Sequence, residues 1–193
     1  VLQVNYRGSG GYGDKFERAG WKRWGLEMQN DLSDAVKWAI AAGIADPARV
    51  VIAGGSYGGY AVMAGLAFTP ELYCAGVNYV GVVDIEELLP AGAGATKSRT
   101  YWYATRIGDM DNAADRRRIH DTSPVHFADR IVAPVLLAYG KNDPRVRISQ
   151  GHDMEAALKK AGKVYEMSIE EKEGHGFRKE ELAIAHYKRI DAF

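Results

Sequence analysis

The chain has 193 residues, of which 47% are hydrophobic and 26% charged, a composition typical of a globular domain with a buried core. Lys plus Arg and Asp plus Glu each number 25, so the formal net charge is zero and no general attraction to nucleic acid or to an anionic membrane is expected. No apolar run approaches the roughly 18 residues of a membrane span. From the charge balance and the short apolar runs together, we expect neither nucleic acid nor a membrane as a partner.

The single cysteine, Cys74, excludes an intramolecular disulfide framework and any multi-cysteine zinc site. Because it lies beside an apolar stretch, we predict a small buried side chain. The chain begins without a signal-peptide pattern and without an initiator Met. We therefore expect a piece of a longer protein, and we favour the cytoplasm over secretion while leaving its location open.

The predicted elements alternate between short apolar strands and longer segments of helical period. In chain order they are a strand at Val1–Asn5, a glycine-rich turn at Gly8–Gly13, a helix at Asp31–Ala42, a strand at Arg49–Ala53, a helix at Tyr57–Phe68, a strand at Ala75–Val83, polar irregular sequence with short helical pieces from Pro90 to about Asp129, a strand at Pro134–Tyr139, a helix at Ser149–Ala161, a strand at Val164–Ile169 and a helix at Glu180–Phe193. Strands separated by helices predict an α/β fold with a mostly parallel sheet. Since no repeat or low-complexity linker interrupts the chain, we predict one domain over residues 1–193.

The segment Gly8–Gly13 matches the G-x-G-x-x-G pattern of dinucleotide-binding loops. That reading requires a helix opening at the last glycine, then a second strand with an acidic residue at its end. The sequence after Gly13 is aromatic and charge-rich, and no strand is predicted before the helix at Asp31. We therefore predict no nucleotide site and no organic cofactor.

The segment Gly54-Gly55-Ser56-Tyr57-Gly58 contains G-x-S-x-G between a predicted strand and a predicted helix, the context of a nucleophile elbow. In such a turn the serine takes a strained backbone conformation, and bulky residues on either side would clash with the strand or the helix. The Ser56 hydroxyl would project above the sheet, beside amides that favour developing negative charge.

A serine hydroxyl needs a base that is itself oriented by an acid, and in this fold the chain order is Ser, then Asp or Glu, then His. Asp143 follows the strand Pro134–Tyr139, and His175 follows the strand Val164–Ile169. Because the carboxyl ends of parallel strands meet at one edge of a sheet, we expect Ser56, Asp143 and His175 to come together there. The glycines on both sides of His175 allow a tight loop.

Alternatives exist for both partners of the serine. Asp84, after the strand Ala75–Val83, is the second candidate for the acid. Asp143 is favoured because its loop follows the next strand and can extend further towards the loop that carries His175. The other histidines, which we expect at the surface or at the boundary of the core, are His120, His126, His152 and His186. The scattered histidines form no H-E-x-x-H motif, and we predict no metal.

The chain resembles the catalytic domain of the prolyl oligopeptidase family of serine peptidases, most closely its acylaminoacyl-peptidase and dipeptidyl-peptidase branches. The segments that carry the resemblance are Asn5–Ser9, Gly54–Tyr60 (GGSYGGY), Ser123-Pro124, Gly140 to Val146 and Glu173–Phe177 (EGHGF). The resemblance implies an α/β-hydrolase fold, Ser56 as nucleophile, Asp143 as acid and His175 as base. It also implies Tyr57 as an oxyanion donor through its backbone N–H.

Two features depart from that family. Tyr139 stands where members usually carry histidine, and an upstream β-propeller and a loop carrying the second oxyanion donor would both precede Val1. By the resemblance, Val1–Asn5 is the fourth strand of a sheet ordered 1-2-4-3-5-6-7-8 and Arg49–Ala53 the fifth, with the first strands absent. The third strand, which normally lies between these two, is among those absent. We expect either Val1–Asn5 to move beside Arg49–Ala53, or a partner chain or a further segment of the protein to fill the gap, because unpaired edges invite pairing.

The sequence thus predicts a serine hydrolase that cleaves aminoacyl or acyl-aminoacyl peptide bonds through an acyl-enzyme. One alternative is a carboxylesterase that acts on small esters with the same triad. Another is a catalytically incomplete binding or structural fragment. Without the second oxyanion donor, we expect weak activity on amides and more on reactive esters. The expected partners are a peptide or small ester substrate, and either an N-terminal propeller domain or a second copy of the chain.

Overall fold

The computed structural model describes residues 1–89 and 96–193. In chain order its helices and strands are α1 (Asp14–Arg18), α2 (Glu27–Ala41), β1 (Val51–Gly55), α3 (Tyr57–Phe68), β2 (Ala75–Tyr79), α4 (Ile85–Leu88), α5 (Lys97–Arg106), α6 (Ala113–Asp121), β3 (Val135–Gly140), α7 (Ile148–Lys160), β4 (Tyr165–Glu170) and α8 (Glu180–Ala192). Short 3₁₀ helices lie at Pro47–Arg49, Pro70–Leu72 and Pro124–Arg130. The first residues of the predicted irregular segment, 90–95, lie outside the described part of the chain.

The chain divides into two compact units. One, here called the helical unit, comprises residues 1–47 and 84–123, and the other, the sheet unit, comprises residues 48–83 and 124–193. The described residues of the helical unit form α1, α2 and α4 to α6 and no strand. The one-domain hypothesis stays a prediction.

The sheet unit is built on four parallel strands in the order β1-β2-β3-β4. The register pairs Val51 with Ala75, Gly55 with Tyr79 and Tyr79 with Ala138. Helix α3 packs against β1 and β2, and α7 packs against β3 and β4. The predicted α/β fold with a parallel sheet is confirmed, and the carboxyl ends of all four strands lie at one edge.

The core of this unit lies between the central strands and α3. Every residue of β3 is buried, as its uninterrupted apolar sequence predicts for a strand covered on both faces. In α3 the side chains of Val62, Met63 and Leu66 are fully buried, each stabilising the fold by about 1.5–3 kcal/mol through the area it removes from water. This helix has the predicted bounds, so the interpretation of Tyr57–Phe68 as a buried helix is confirmed.

Two strand predictions need correction. Val1–Asn5 forms no strand: Val1 and Leu2 are exposed and the segment lies in the helical unit, because an apolar alternation makes a strand only where a ladder partner is available. The expected move beside Arg49–Ala53 is therefore wrong, whereas pairing with a partner chain or with a further segment stays a prediction. The strand predicted as Ala75–Val83 ends at Tyr79, because Val80 turns the chain with a φ of 46°.

The prediction for Cys74 is also wrong, since the residue is exposed. It lies immediately before β2, where its N–H donates to the Val50 carbonyl; an apolar neighbourhood in sequence does not bury a residue at the outer end of a strand. The glycines of segment 8–13 form turns that lead into α1 and α2 with no strand between them. The context of a dinucleotide loop is therefore missing from this described stretch.

Two kinds of feature are absent from the described residues. None of the helices has the length and hydropathy needed to cross a membrane. No group of three or more His, Cys, Asp or Glu side chains is arranged to hold a metal ion within residues 1–89 and 96–193.

Candidate active site

Ser56 lies in the sharp turn between β1 and α3. Its backbone has φ 57° and ψ −118°, a conformation that L residues rarely adopt and that costs about 1–3 kcal/mol. Its N–H donates to the Tyr79 carbonyl at 2.9 Å, so the end of β2 holds the strained turn from the neighbouring strand. The predicted nucleophile elbow is present as a backbone feature.

The glycines of the elbow differ in what they do. A Cβ on Gly54 would lie 2.6 Å from the backbone of Gly58, and one on Gly59 would lie 2.6 Å from the Gly81 Cα. These two positions allow α3 to pack directly on its own strand and on the turn after β2. A Cβ on Gly58 would meet nothing within 4 Å, so the predicted clash on both sides of the serine is right for Gly54 and wrong for Gly58.

Asp143 lies in the turn after β3, and its carboxylate is inaccessible to solvent. Its Oδ1 accepts backbone N–H bonds from Arg145 at 2.7 Å and from Val146 at 3.0 Å. These two bonds fix the carboxyl plane and leave Oδ2 for a third donor. A buried carboxylate of this kind is stabilised by its donors rather than by water.

His175 stands at the tip of the loop between β4 and α8, here called the histidine loop (residues 173–177). Gly176 has a φ of 108° and its N–H donates to the Gly174 carbonyl at 2.9 Å, so the chain reverses at the histidine as its two glycines predict. The Glu173 carbonyl accepts the Asn142 N–H at 2.9 Å. This bond joins the start of the histidine loop to the loop that carries Asp143.

The structure brings the three predicted side chains together. The distance from His175 Nδ1 to Asp143 Oδ2 is 2.6 Å, and that from His175 Nε2 to Ser56 Oγ is 2.8 Å. Because an ionised carboxylate only accepts hydrogen bonds, it holds the proton on Nδ1 and leaves the Nε2 lone pair facing the serine hydroxyl. The imidazole is 15% exposed, so a reactant can reach it from one side.

The remaining predicted residues occupy the following positions. Tyr57 is the first residue of α3, which places its backbone N–H at the end of the helix that favours negative charge. Asp84 caps α4 by accepting the Glu86 N–H at 2.9 Å. The carboxylate at His175 is that of Asp143 and not that of Asp84.

Three of the other histidines, His120, His126 and His152, are exposed as predicted. His186 on α8 is buried, with 9% relative exposure, so the expectation of a surface or boundary position is wrong for it. Its ring stacks on Tyr79, with 4.6 Å between centroids. Burial, with a smaller effect of Arg189, lowers the pKa of His186, so its neutral form is favoured.

Sequence reasoning missed the residues that support the elbow from β2. The Asn78 Oδ1 accepts the Gly81 N–H at 3.0 Å, and the Tyr139 hydroxyl donates to the Gly81 carbonyl at 2.7 Å while accepting from Asn78 at 3.1 Å. This buried network holds the strained Val80, and it gives Tyr139 a function at the position where the resemblance expects histidine. Two polar residues, Asn78 and Tyr79, at the end of an apolar strand were the available signal.

Tyr79 contacts both halves of the site. Its carbonyl accepts the Ser56 N–H and its hydroxyl accepts the N–H of Phe177 in the histidine loop. Burial raises the pKa of Tyr79, and Glu173, Tyr187 and Asp143 add to the increase, while the bond from Phe177 opposes it. The hydroxyl therefore stays neutral at physiological pH.

Comparisons with known proteins identify the family of this chain. The sequence model described as "Prolyl oligopeptidase family" matches residues 1–193. The chain is 36% identical over 200 residues to dipeptidyl peptidase family member 6 of Caenorhabditis elegans, with 100% of the chain and 26% of that protein covered. It is 38% identical over 181 residues to dipeptidyl aminopeptidase BIII of Pseudoxanthomonas mexicana, with 94% and 26% covered.

A puromycin-hydrolyzing peptidase of Mycobacterium tuberculosis has a similar solved structure, with a TM-score of 0.84, 34% identity and coverage of 95% of this chain and 27% of that one. The chain thus spans about a quarter of the length of the curated relatives that it matches. The match extends over every predicted element and over the loops that carry Ser56, Asp143 and His175. The chain belongs to the prolyl oligopeptidase family.

Proposed function

We propose that this chain carries the catalytic centre of a serine peptidase that cleaves aminoacyl or acyl-aminoacyl peptide bonds. The observation that carries the proposal is the pair of short contacts from His175, at 2.8 Å to the Ser56 hydroxyl and at 2.6 Å to the Asp143 carboxylate. Nucleophile, base and orienting acid in hydrogen-bond reach are the arrangement that activates a serine. The dipeptidyl and acylaminoacyl peptidases among its relatives support the substrate class.

In the first half of the proposed reaction, Ser56 Oγ attacks the carbonyl carbon while His175 Nε2 takes the hydroxyl proton. The carbonyl oxygen becomes an oxyanion, to which the Tyr57 N–H at the start of α3 donates. When the C–N bond breaks, the amine takes the proton from Nε2 and leaves. The product is an ester between the acyl group and Ser56.

In the second half, a water molecule attacks the acyl carbon and gives a proton to His175. Collapse of this second intermediate breaks the bond to Ser56 Oγ, which regains its proton, and releases the carboxylic acid. Asp143 keeps the imidazole in one tautomer throughout and stabilises its cationic form. No atom of the cycle has to come from a metal or an organic cofactor.

Covalent labelling tests the proposal directly. A fluorophosphonate should modify Ser56 in the 193-residue chain. Ser56→Ala should abolish the labelling and lower the turnover by at least about 10⁴-fold. Labelling of an unrelated serine, or turnover by Ser56→Ala near the native rate, would contradict it. Absence of labelling in a folded protein would favour the binding or structural fragment.

The substrate is tested with a matched series of esters that share one leaving group and differ in the acyl group. Aminoacyl and acyl-aminoacyl esters should be cleaved with a higher kcat/KM than the ester of the same leaving group with a short aliphatic acyl group. The reverse order would identify a carboxylesterase with the same triad. The relatives extend beyond the matched quarter of their length, which supports the expected further domain; that domain and an oligomeric partner stay proposals.

A further inference from the structure

We propose that Tyr79 is a positioning residue that fixes the histidine loop relative to the nucleophile elbow, and that His186 holds the Tyr79 ring in place. This inference rests on the proposed function, because it concerns the distance between the proposed base and nucleophile. The proposed reaction uses neither Tyr79 nor His186.

The first argument is that one residue binds both reacting segments. The Tyr79 carbonyl accepts the Ser56 N–H at 2.9 Å, which fixes the elbow backbone against β2. The Tyr79 hydroxyl accepts the Phe177 N–H, which fixes the histidine loop two residues after His175. Hydrogen bonds to Tyr79, at the end of β2, thereby hold both the segment of the nucleophile and the segment of the base.

The second argument concerns how the histidine loop is anchored. Its beginning is held by the Asn142 N–H on the Glu173 carbonyl at 2.9 Å, and the Glu173 carboxylate accepts the Arg178 N–H at 2.8 Å. The Phe177 bond to Tyr79 holds the exit of the loop. Because a glycine lies on each side of His175, the loop backbone has few side-chain contacts of its own and depends on such bonds for its position.

The third argument concerns the Tyr79 ring. Phe177 packs edge-on against it at 4.9 Å between centroids, and the His186 imidazole stacks on it at 4.6 Å with 27° between planes. The Nδ1 of His186 is buried and has no hydrogen-bond partner among the described residues. The imidazole therefore serves through its ring face, as a neutral aromatic group.

The titratable and charged groups around His186 support that neutral state. Tyr79 faces it from β2, and Tyr187 and Arg189 lie beside it on α8. None of these three offers a negative charge at neutral pH, and Arg189 disfavours a second cation. Protonation of His186 would put an uncompensated charge against the Tyr79 ring.

A displaced loop has a defined kinetic consequence. If the histidine loop shifts, the 2.8 Å contact between His175 Nε2 and Ser56 Oγ lengthens, and proton transfer in the transition state suffers more than substrate binding. Loss of the Tyr79 hydroxyl should therefore lower kcat and leave KM nearly unchanged. A residue that only stabilises the fold would not separate the two constants in this way.

The experiment compares Tyr79→Phe, which removes the acceptor and keeps the ring, with Tyr187→Phe, which removes an exposed hydroxyl on α8. On the best substrate of the matched series, Tyr79→Phe should lower kcat by about 10- to 100-fold with KM within about twofold. Tyr187→Phe should match the wild type. An unchanged kcat in Tyr79→Phe, or an equal change in the two variants, would overturn the inference.

A spectroscopic readout separates this inference from the proposed function. The His175 Nδ1 proton bonded to Asp143 should give a low-field NMR resonance that shifts or broadens in Tyr79→Phe and stays in place in Tyr187→Phe. An unlabelled wild type contradicts the proposed function, whereas a resonance indifferent to Tyr79→Phe contradicts the inference. If Tyr79→Phe does not fold, His186→Leu provides the test. Loss of the stacked ring should shift the same His175 resonance, and an unchanged resonance in this variant would overturn the proposal.

Discussion

The sheet unit and the helical unit are stabilised by different kinds of contact. In the sheet unit, backbone ladders and apolar side chains such as those of β3 and α3 surround buried polar groups that include Asn78, Asp143 and Glu173, which support the elbow and the histidine loop. In the helical unit, charged side chains make many of the specific contacts. Lys22 and Arg118 bind the Asp115 carboxylate at 2.7 and 3.0 Å, and Arg7 binds Asp31 at 2.6 Å.

The difference explains why the candidate active site lies in the sheet unit. A triad needs side chains placed to within a few tenths of an ångström, and parallel strand ends with tight turns supply that precision. In the helical unit, Lys22 and Arg118 share the largely buried Asp115 carboxylate, and Arg7 pairs with the partly exposed Asp31. These ion pairs join segments of the chain, and they do not set a nucleophile beside a base.

The largest expected effect is on catalysis in the sheet unit. Asp143→Asn should lower turnover by about 10⁴-fold, because the amide no longer fixes the proton on His175 Nδ1. Asp84→Asn is the control: it alters the cap of α4, so it should cost about 1 kcal/mol of stability or less and little turnover. Steady-state kinetics of both variants check this, and a larger loss of turnover in Asp84→Asn would show that the acid has been misassigned.

The next effect compares two glycines of the same elbow. Gly54→Ala should destabilise the chain by about 1–3 kcal/mol or more, because its Cβ would lie 2.6 Å from the Gly58 backbone. Gly58→Ala meets no neighbour and should be neutral or stabilising by up to about 1 kcal/mol, as alanine favours a helix. Urea unfolding measures both, and equal destabilisation would mean that the elbow does not have this geometry.

A third test uses pH to distinguish the units. The pKa of His186 lies below its ordinary value of 6.5, so the unfolded chain binds the proton more readily. The stability that this group contributes is present above the ordinary histidine range and is lost as pH falls through the folded-state pKa. The protection factors of the amides in β2 and α8, which correct exchange rates for the intrinsic effect of pH, should fall below about pH 6.5, and His186→Phe should remove that dependence.

The helical unit should respond only at lower pH. For Asp115, burial raises the pKa, but the bonds from Lys22, the Asp109 N–H and Arg118 outweigh it and lower the value from 3.8 to about 2. Its contribution to stability is present above about pH 4 and is lost as pH falls towards 2. The protection factors of the α6 amides should fall in that range, and Asp115→Asn should abolish the change. If both units responded over one pH range, the proposed distinction would be refuted.

The smallest effect concerns the cation–π contacts of the helical unit. Arg106 lies 4.9 Å from the ring centroids of both Trp21 and Trp102, so Arg106→Gln should cost about 0.5–1 kcal/mol per contact. Arg117→Gln, at an exposed position on α6, is the control and should change the urea midpoint negligibly. Identical urea midpoints for the two variants would show that these contacts do not stabilise the helical unit.

Several features of the chain were determined by its sequence. The apolar run of β3, the small apolar content of α3 and the glycines around Ser56 and His175 act locally, through burial, helix packing and turn geometry. They therefore predicted the parallel α/β fold and the residues that meet at its edge. The order of Ser56, Asp143 and His175 along the chain placed each one after a different strand, which made their convergence predictable before any distance was known.

Other features were decided only by the tertiary structure. Val1–Asn5 has the pattern of a strand but forms none, and Cys74 has apolar neighbours in sequence but lies exposed. Strand pairing and burial depend on which distant segments of the chain lie beside a residue. Likewise, nothing local shows that His186 stacks on Tyr79 or that the Tyr79 hydroxyl reaches Phe177. Those contacts join residues about a hundred positions apart, and they exist only because the sheet places the end of β2 beside the histidine loop and α8.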